Sequence, residues 1–217
     1  MAGADNTGTQ RRTERPTAEA ILAAACRAIV RRGVDATRIA DIAQEAGTST
    51  GTVHYYFETK DDVLLAALEW ANERPYSRMD ELLGREADDL SRLATMLELT
   101  IPYPGPPREE WVFFLELWGR ILHRPELLPA GESLDSRWRG YFFDVVRSGS
   151  AHGTFRPVAP PDEVADRLVA LVDGLGLKAV LDVPWMPPER MREILLRFAA
   201  DELRVSYEEL EARARAE

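Results

Sequence analysis

The stretch from Thr37 to Lys60, TRIADIAQEAGTSTGTVHYYFETK, constrains the fold of this chain more than any other. Ile39, Ile42, Ala43 and Ala46 recur three and four residues apart, which places one apolar stripe on a short helix, with Thr37 as its expected N-cap. Gly47 ends that helix, because glycine takes the left-handed conformation that a sharp exit needs. Thr48, Ser49 and Thr50 then offer hydroxyl caps for a second helix running to about Phe57. Two short helices joined by a tight turn make a helix-turn-helix.

The second helix has an unusual outer face. Only Val53 and Phe57, four apart, point to a core, while Thr50, Gly51, Thr52, His54, Tyr55 and Tyr56 point away from it. A solvated helix face normally carries Lys and Glu. Short uncharged donors and acceptors instead suit the floor of a DNA groove and its phosphate rims. Thr59 opens a third helix with Asp62 as the partner of a capping box, and Lys60 falls at that helix's positive end, where a phosphate is well placed. The contacts expected on DNA are therefore Thr37, Arg38, Thr48, Ser49, Thr50, Gly51, Thr52, His54, Tyr55, Tyr56 and Lys60.

On these residues the chain resembles the TetR family of transcriptional regulators. The resemblance covers Ala18 to about Leu68: a first helix ending at Arg32-Gly33, then AT-R-IADIA, then AGTSTGTVHYYFETKDDVLL. Gly47, Thr52, Phe57, Lys60 and the run Asp41-Ile42-Ala43 stand where the family's motif has them. His54 departs from it, since a Tyr usually follows the glycine, threonine and apolar residue. An imidazole there can still reach a phosphate or a base edge, with a charge that varies near neutral pH. The resemblance implies an all-α protein that binds a near-palindromic operator as a homodimer, usually as a repressor released by a small molecule.

The formal net charge of -10 runs against DNA binding until its distribution is read. Residues 1 to 60 hold eight Arg or Lys against seven Asp or Glu, and the other 157 hold nineteen against thirty. The acidic excess lies in the C-terminal part, where it discourages indiscriminate adhesion to nucleic acid. Arg11, Arg12 and Arg15 sit in a polar stretch, 1–15, expected to be a disordered basic arm that either reaches DNA or remains a solvated tail. The polar N-terminus has no signal-peptide core and no apolar run is long enough for a bilayer, so a cytoplasmic protein without membrane contact is expected. Cys26 is the only cysteine, which removes disulfide frameworks and thiolate clusters; it reads as a small core residue of the first helix.

About nine helices are expected. The first runs from Pro16 to Gly33 on a stripe of Ile21, Leu22, Ala25, Ile29 and Val30. The fourth runs from Lys60 toward Pro75. Later ones cover roughly 80–101 with a possible break at Gly84, 108–123, 134–147, 162–181 and 188–203, with Ser148 to Gly153 as a turn. The domains expected are a DNA-binding domain at 16–60, an effector-binding and dimerisation domain at 61–203 and a charged tail at 204–217. The last two helices carry apolar stripes at Leu168, Leu171, Val172, Leu175 and at Met191, Ile194, Leu195, Phe198, and so much apolar surface late in the chain suggests a two-fold dimer. FLELWGRILHRPEL and LVDGLGLKAVLD are similar to the branch that includes the choline-responsive repressor of betaine synthesis. That similarity covers C-terminal segments only and transfers no ligand.

The middle helices are rich in aromatic residues. Trp111, Phe114, Trp118, Trp138, Tyr141 and Phe142, with Glu116 among them, could line a pocket for a cationic or aromatic effector. Glu116 and Asp144 adjoin apolar clusters and need partners, which a cationic ligand would supply, or Arg120, Arg139 or His123 internally. An enzyme is disfavoured: His54, His123 and His152 are the only histidines, no metal-ligand spacing occurs, and neither a phosphate loop nor a nucleophile elbow is present. No cofactor or metal is expected. The alternative is an architectural DNA binder without an effector, which would have a nearly solid C-terminal core.

Overall fold

The computed structural model describes residues 17–86, 88–124 and 128–214, and every regular element in them is helical. The order is α1 (Ala18–Arg32), α2 (Ile39–Glu45), α3 (Thr50–Tyr56), α4 (Lys60–Arg85), α5 (Asp89–Leu99), α6 (Pro106–Ile121), α7 (Leu128–His152), α8 (Pro161–Val180), α9 (Pro188–Leu203) and α10 (Tyr207–Ala214). The all-α expectation holds, with ten helices among the described residues against about nine. Among these helices none is long and apolar enough to cross a membrane. The arginines of the expected N-terminal arm lie outside the described residues. The chain divides into two compact units, one ending at Ala67 and the other beginning at Leu68.

In the first unit α1 buries Ile21, Ala24, Ala25, Cys26, Ala28 and Ile29, a stripe of helical period set against α2. Thr17 caps α1 by accepting from Ala20 N at 3.2 Å, and Gly33, at φ 75°, ends it. Val30, expected in the stripe, is 36% exposed, because it lies a full residue past the row that faces inward. Three ion pairs hold α1 to α2: Arg27 and Arg31 both bind Glu45, and Arg32 lies 3.3 Å from Asp41. Hydrogen bonds from Arg31 and then Arg27 hold the Glu45 carboxyl below its ordinary range. Arg31 and Arg32 therefore serve the domain's own packing.

The second unit closes around Leu93, Met96 and Leu97 of α5, Phe142 and Val146 of α7, Leu168 and Val172 of α8, and Met191, Leu195 and Leu196 of α9. Three boundaries differ from expectation, each for a packing reason. The fourth helix continues through Pro75 to Arg85. Leu68, Tyr76 and Met79 keep the inward period on both sides of the proline, and their burial outweighs the one backbone bond it removes. α4 ends instead at Arg85, and Asp88 caps α5 by accepting from Ser91 N at 2.9 Å.

The Ser148 to Gly153 stretch is not a turn but the last part of α7. Gly149 is there for close approach: a Cβ on it would lie 2.1 Å from the Phe155 ring. Likewise, the expected charged tail contains α10, which packs on α5 and α9 and buries Leu210 and Ala214. Arg213 ties it to Asp88 and Ser91, both at 2.5 Å.

Candidate nucleic-acid interface and ligand cavity

The turn of the helix-turn-helix forms as its residues require. Gly47 adopts φ 64°, and Thr48 N reaches back to the Ala43 carbonyl at 2.9 Å. Ser49 caps α3 by accepting from Thr52 N at 3.1 Å, and its hydroxyl lies 3.1 Å from that of Thr52. Val53 is fully buried and Phe57 half-buried, so α3 turns Thr50, Gly51, His54, Tyr55 and Tyr56 outward. Tyr55 is 71% exposed and meets Tyr56 edge to face at 5.0 Å, giving the helix a protruding aromatic pair. Thr48 and Thr52 are half-buried beside this face. The capping box of α4 is complete, with Thr59 N donating to Asp62 at 2.9 Å and Asp62 N to Thr59 Oγ1 at 3.1 Å.

Three of the residues expected at the DNA also serve the fold itself. Thr37 is fully buried and its hydroxyl donates to the Gly33 carbonyl at 2.7 Å, so it seals the α1–α2 turn. The N-cap of α2 is Arg38, whose backbone N–H is held by Asp41 at 2.9 Å, leaving its side chain exposed. Lys60 is half-buried and donates from Nζ to the Asp35 carbonyl at 2.9 Å, joining the start of α4 to the α1–α2 loop.

A cavity of about 90 Å³ opens in the second unit. A single water needs roughly 10–15 Å³ on this scale, so the space suits a small organic molecule. Its wall is built from Asn72, Pro75 and Tyr76 of α4, Leu99 and Thr100 at the end of α5, Glu110, Trp111 and Phe114 of α6, Trp138 of α7, and Val172 and Asp173 of α8. The rings are fixed by packing and by hydrogen bonds. Trp111 donates from Nε1 to the Thr100 carbonyl at 2.8 Å and lies against Gly176, where a Cβ would come within 2.1 Å of the indole. Phe114 meets Trp111 edge-on at 5.6 Å, and Tyr76 meets Trp138 at 6.4 Å. The Tyr76 hydroxyl donates to the Leu134 carbonyl at 2.7 Å, and burial pushes this phenol upward.

Two carboxylates enter this aromatic wall. Glu110 lies 3.3 Å from Arg78 of α4; burial pushes its carboxyl up while Arg78 and Arg74 oppose the shift. Asp173 forms no hydrogen bond or ion pair with any described residue. Burial, with Asp135 of α7 adding a like charge, pushes it up to about 6. Together these groups form an apolar and acidic cavity, complementary to a cation carrying apolar substituents.

Of the seven expected ligand residues, Trp111, Phe114 and Trp138 line the cavity. Phe142 is fully buried behind Trp138, and Trp118 packs edge-on against Phe114 at 6.0 Å outside the wall. Tyr141 stacks on Tyr76 at 6.0 Å and donates to Asp80, also outside it. Glu116 is half-buried and does not line the wall, and Asp144 is exposed, paired with Arg147 at 3.3 Å. Sequence reading missed Asn72, Tyr76, Glu110 and Asp173. Asp173 had left a signal, a lone acid inside the apolar run LVALVDGLGL.

The expected dimer stripes divide in the same way. Leu168, Val172, Met191 and Leu195 are fully buried in the chain's own core and cannot meet a partner. Leu171, Leu175, Ile194 and Phe198 are half-buried, while Leu177, Leu181 and Trp185 are exposed.

Comparison with known proteins matches both units. Residues 21–78 match the model of bacterial regulatory proteins of the tetR family, and residues 90–204 match the C-terminal domain of BetI-type transcriptional repressors. The regulator PksA of Bacillus subtilis is 28% identical over 82% of this chain and 85% of its own length. The regulator BetI of Burkholderia thailandensis is 28% identical over 74% of this chain and 80% of its own. A solved transcriptional regulator from Saccharomonospora viridis, in complex with choline, is 36% identical, covers 83% of this chain and 94% of its own, and superposes with a TM-score of 0.78.

Proposed function

The chain belongs to the TetR family of transcriptional regulators, with a C-terminal domain of the BetI type, and from that premise we propose that its effector is a small organic cation of the quaternary ammonium class. The observation that carries this is the cavity. Tyr76, Trp111, Phe114 and Trp138 present ring surfaces while Glu110 and Asp173 supply negative charge. A quaternary ammonium has no N–H to satisfy, so ring faces and a nearby carboxylate meet its needs without a directed hydrogen bond. The regulator from S. viridis that holds choline supports the same ligand class.

On the DNA side, α3 enters a major groove with Thr52, His54, Tyr55 and Tyr56 toward the bases, while Arg38, Ser49 and Lys60 hold phosphates. Two copies of α3 in a homodimer read half-sites roughly 34 Å apart. Leu171, Leu175, Ile194 and Phe198, with exposed Leu177, Leu181 and Trp185, are the surface that joins the two copies. Domain roles follow the expected division: DNA binding up to about Lys60, effector binding and dimerisation from there to Leu203. Three cavity residues, Asn72, Pro75 and Tyr76, belong to α4, the helix whose first turn carries Lys60. Effector binding thereby biases α4, and operator affinity falls because the cation binds the non-operator conformer better. A 100-fold fall requires a coupling of ~2.7 kcal/mol.

A tryptophan fluorescence titration with choline and tetramethylammonium tests the ligand class, since Trp111 and Trp138 report on the cavity. Saturable quenching by both cations, absent with uncharged alcohols of similar size at the same concentrations, is the expected result. Equal or absent responses to all of them would exclude a cation site. Sedimentation of the protein, with a monomer shift in Phe198→Glu, tests the dimer surface.

A further inference from the structure

The two cavity carboxylates are not equivalent. Glu110 is met by Arg78 at 3.3 Å, so that pair is close to neutral, whereas Asp173 faces the same rings without a cationic partner among the described residues. Several cations on the elements around it are committed elsewhere, and Arg74 of α4 acts on Glu110. On α7, Arg139 binds Asp166, and Arg137 binds Glu73 at 2.7 Å and lies 3.6 Å from Asp80. Arg108 of α6 binds Asp182 at 2.7 Å, and Arg192 of α9 binds Glu98 at 2.7 Å. The remaining charged group acting on Asp173 is Asp135 of α7, which repels it. No histidine lines the cavity. Asp173 is therefore the cavity carboxylate without a counter-charge among the described residues.

Resting on the reading of the cavity as a cation site, we propose that Asp173 is the counter-charge of a monocationic effector, and that the bound cation drives a proton off the Asp173 carboxyl. The step balances as protonated carboxyl plus cation giving a carboxylate–cation pair, with one proton passing to solvent. Physically, an unpaired carboxyl among rings is poorly solvated and keeps its proton further up the pH scale than a surface aspartate does. A cation placed against it stabilises the charged form, so proton loss and ligand binding become one linked event. Effector affinity then falls as the medium acidifies, and the regulator becomes harder to induce in acid.

The test is calorimetric titration of the full chain with tetramethylammonium, which carries no titratable proton, in buffers of different ionisation enthalpy. With Asp173 titrating near 6, affinity is expected to be about tenfold weaker at about pH 5 than at about pH 7.5. Roughly 0.9 proton should be released per cation at the lower pH and almost none at the higher. Choline should behave alike, while its uncharged carbon isostere, 3,3-dimethylbutan-1-ol, should release no proton. Asp173→Asn should abolish the release. If that variant misfolds, the comparison of choline with its isostere on the native protein still decides. Cation binding with equal affinity and no proton release at both pH values would overturn the inference while leaving the cation site standing. Failure of both cations to bind at any pH would overturn the cation site itself and the inference with it.

Discussion

Asp173 is kept in the cavity at a cost to folding. Its folded pKa, about 6, lies above the ordinary aspartate value of 3.8, so the native state binds a proton that the unfolded chain has already released. Its contribution to stability is thus full below about pH 4 and is lost as pH rises through about 6. At neutral pH the loss is at most roughly 3 kcal/mol, reduced by the solvent that still reaches the group. Asp173→Asn should therefore raise stability to denaturant by roughly 1–3 kcal/mol near pH 7.5 and leave it nearly unchanged at about pH 3. A variant more stable than its parent that binds cations less well is a signature of a residue kept for function.

Gly176 works through its neighbour. In Gly176→Ala the new Cβ would sit 2.1 Å from the Trp111 indole, and backbone on one side leaves the ring as the group that must move. Cation affinity should fall by roughly tenfold or more, the scale of one lost cation–ring contact in a desolvated site, as read by the same calorimetry. Lys60 carries a different prediction, because its ammonium donates to the Asp35 carbonyl at the start of α4, where a phosphate contact is proposed. Lys60→Ala should weaken binding to all DNA sequences alike and lower the salt slope by about one. Salt titrations on a specific and a random duplex would show it.

Among the elements, α3 is only seven residues long, held by one cap and one fully buried side chain, Val53. An isolated helix of that length has no stability of its own, so its ends are decided by the turn before it and the packing beneath it. Ser49→Ala removes the acceptor for Thr52 N and should cost about 1 kcal/mol of domain stability. Thermal unfolding would measure it, and operator affinity should fall further than stability alone explains if Ser49 is the phosphate contact proposed for it.

The elements likewise show what a sequence makes legible. The turn at Gly47, the cap at Ser49 and the box of Thr59 with Asp62 could be read directly, because each is local chemistry over three or four residues. Pro75 and Gly149 misled for one shared reason. Both are breakers by local rules, and both are overruled by packing from residues far along the chain: Tyr76 and Met79 keep α4 whole, and Phe155 presses on Gly149. Thr37 misled in reverse, a good cap by type that the fold spends on a buried bond to Gly33.

For the whole molecule, the charge is unevenly distributed: a balanced first 60 residues and an acidic remainder. The family resemblance and the all-α fold followed from the helix-turn-helix. The cavity was half legible. Trp111, Phe114 and Trp138 stood out as aromatic, but Tyr76, Glu110 and Asp173 come from three different helices, and only tertiary packing brings them together. The same limit applied to the dimer stripes. Helical period identifies the apolar rows of α8 and α9 but does not say which row turns toward the chain's own core, and there it is Leu168, Val172, Met191 and Leu195.

A regulator of this kind stands or falls on the coupling between its cavity and its DNA face. The most direct measurement is titration of the purified protein against the intergenic DNA upstream of its own gene, with and without saturating choline or tetramethylammonium. Binding to one near-palindromic site, weakened by the cation on the order of 100-fold while binding to random DNA barely changes, is the expected result. Operator affinity that stays the same with the cavity occupied would contradict it, since the cation would then have no preference between the two conformers.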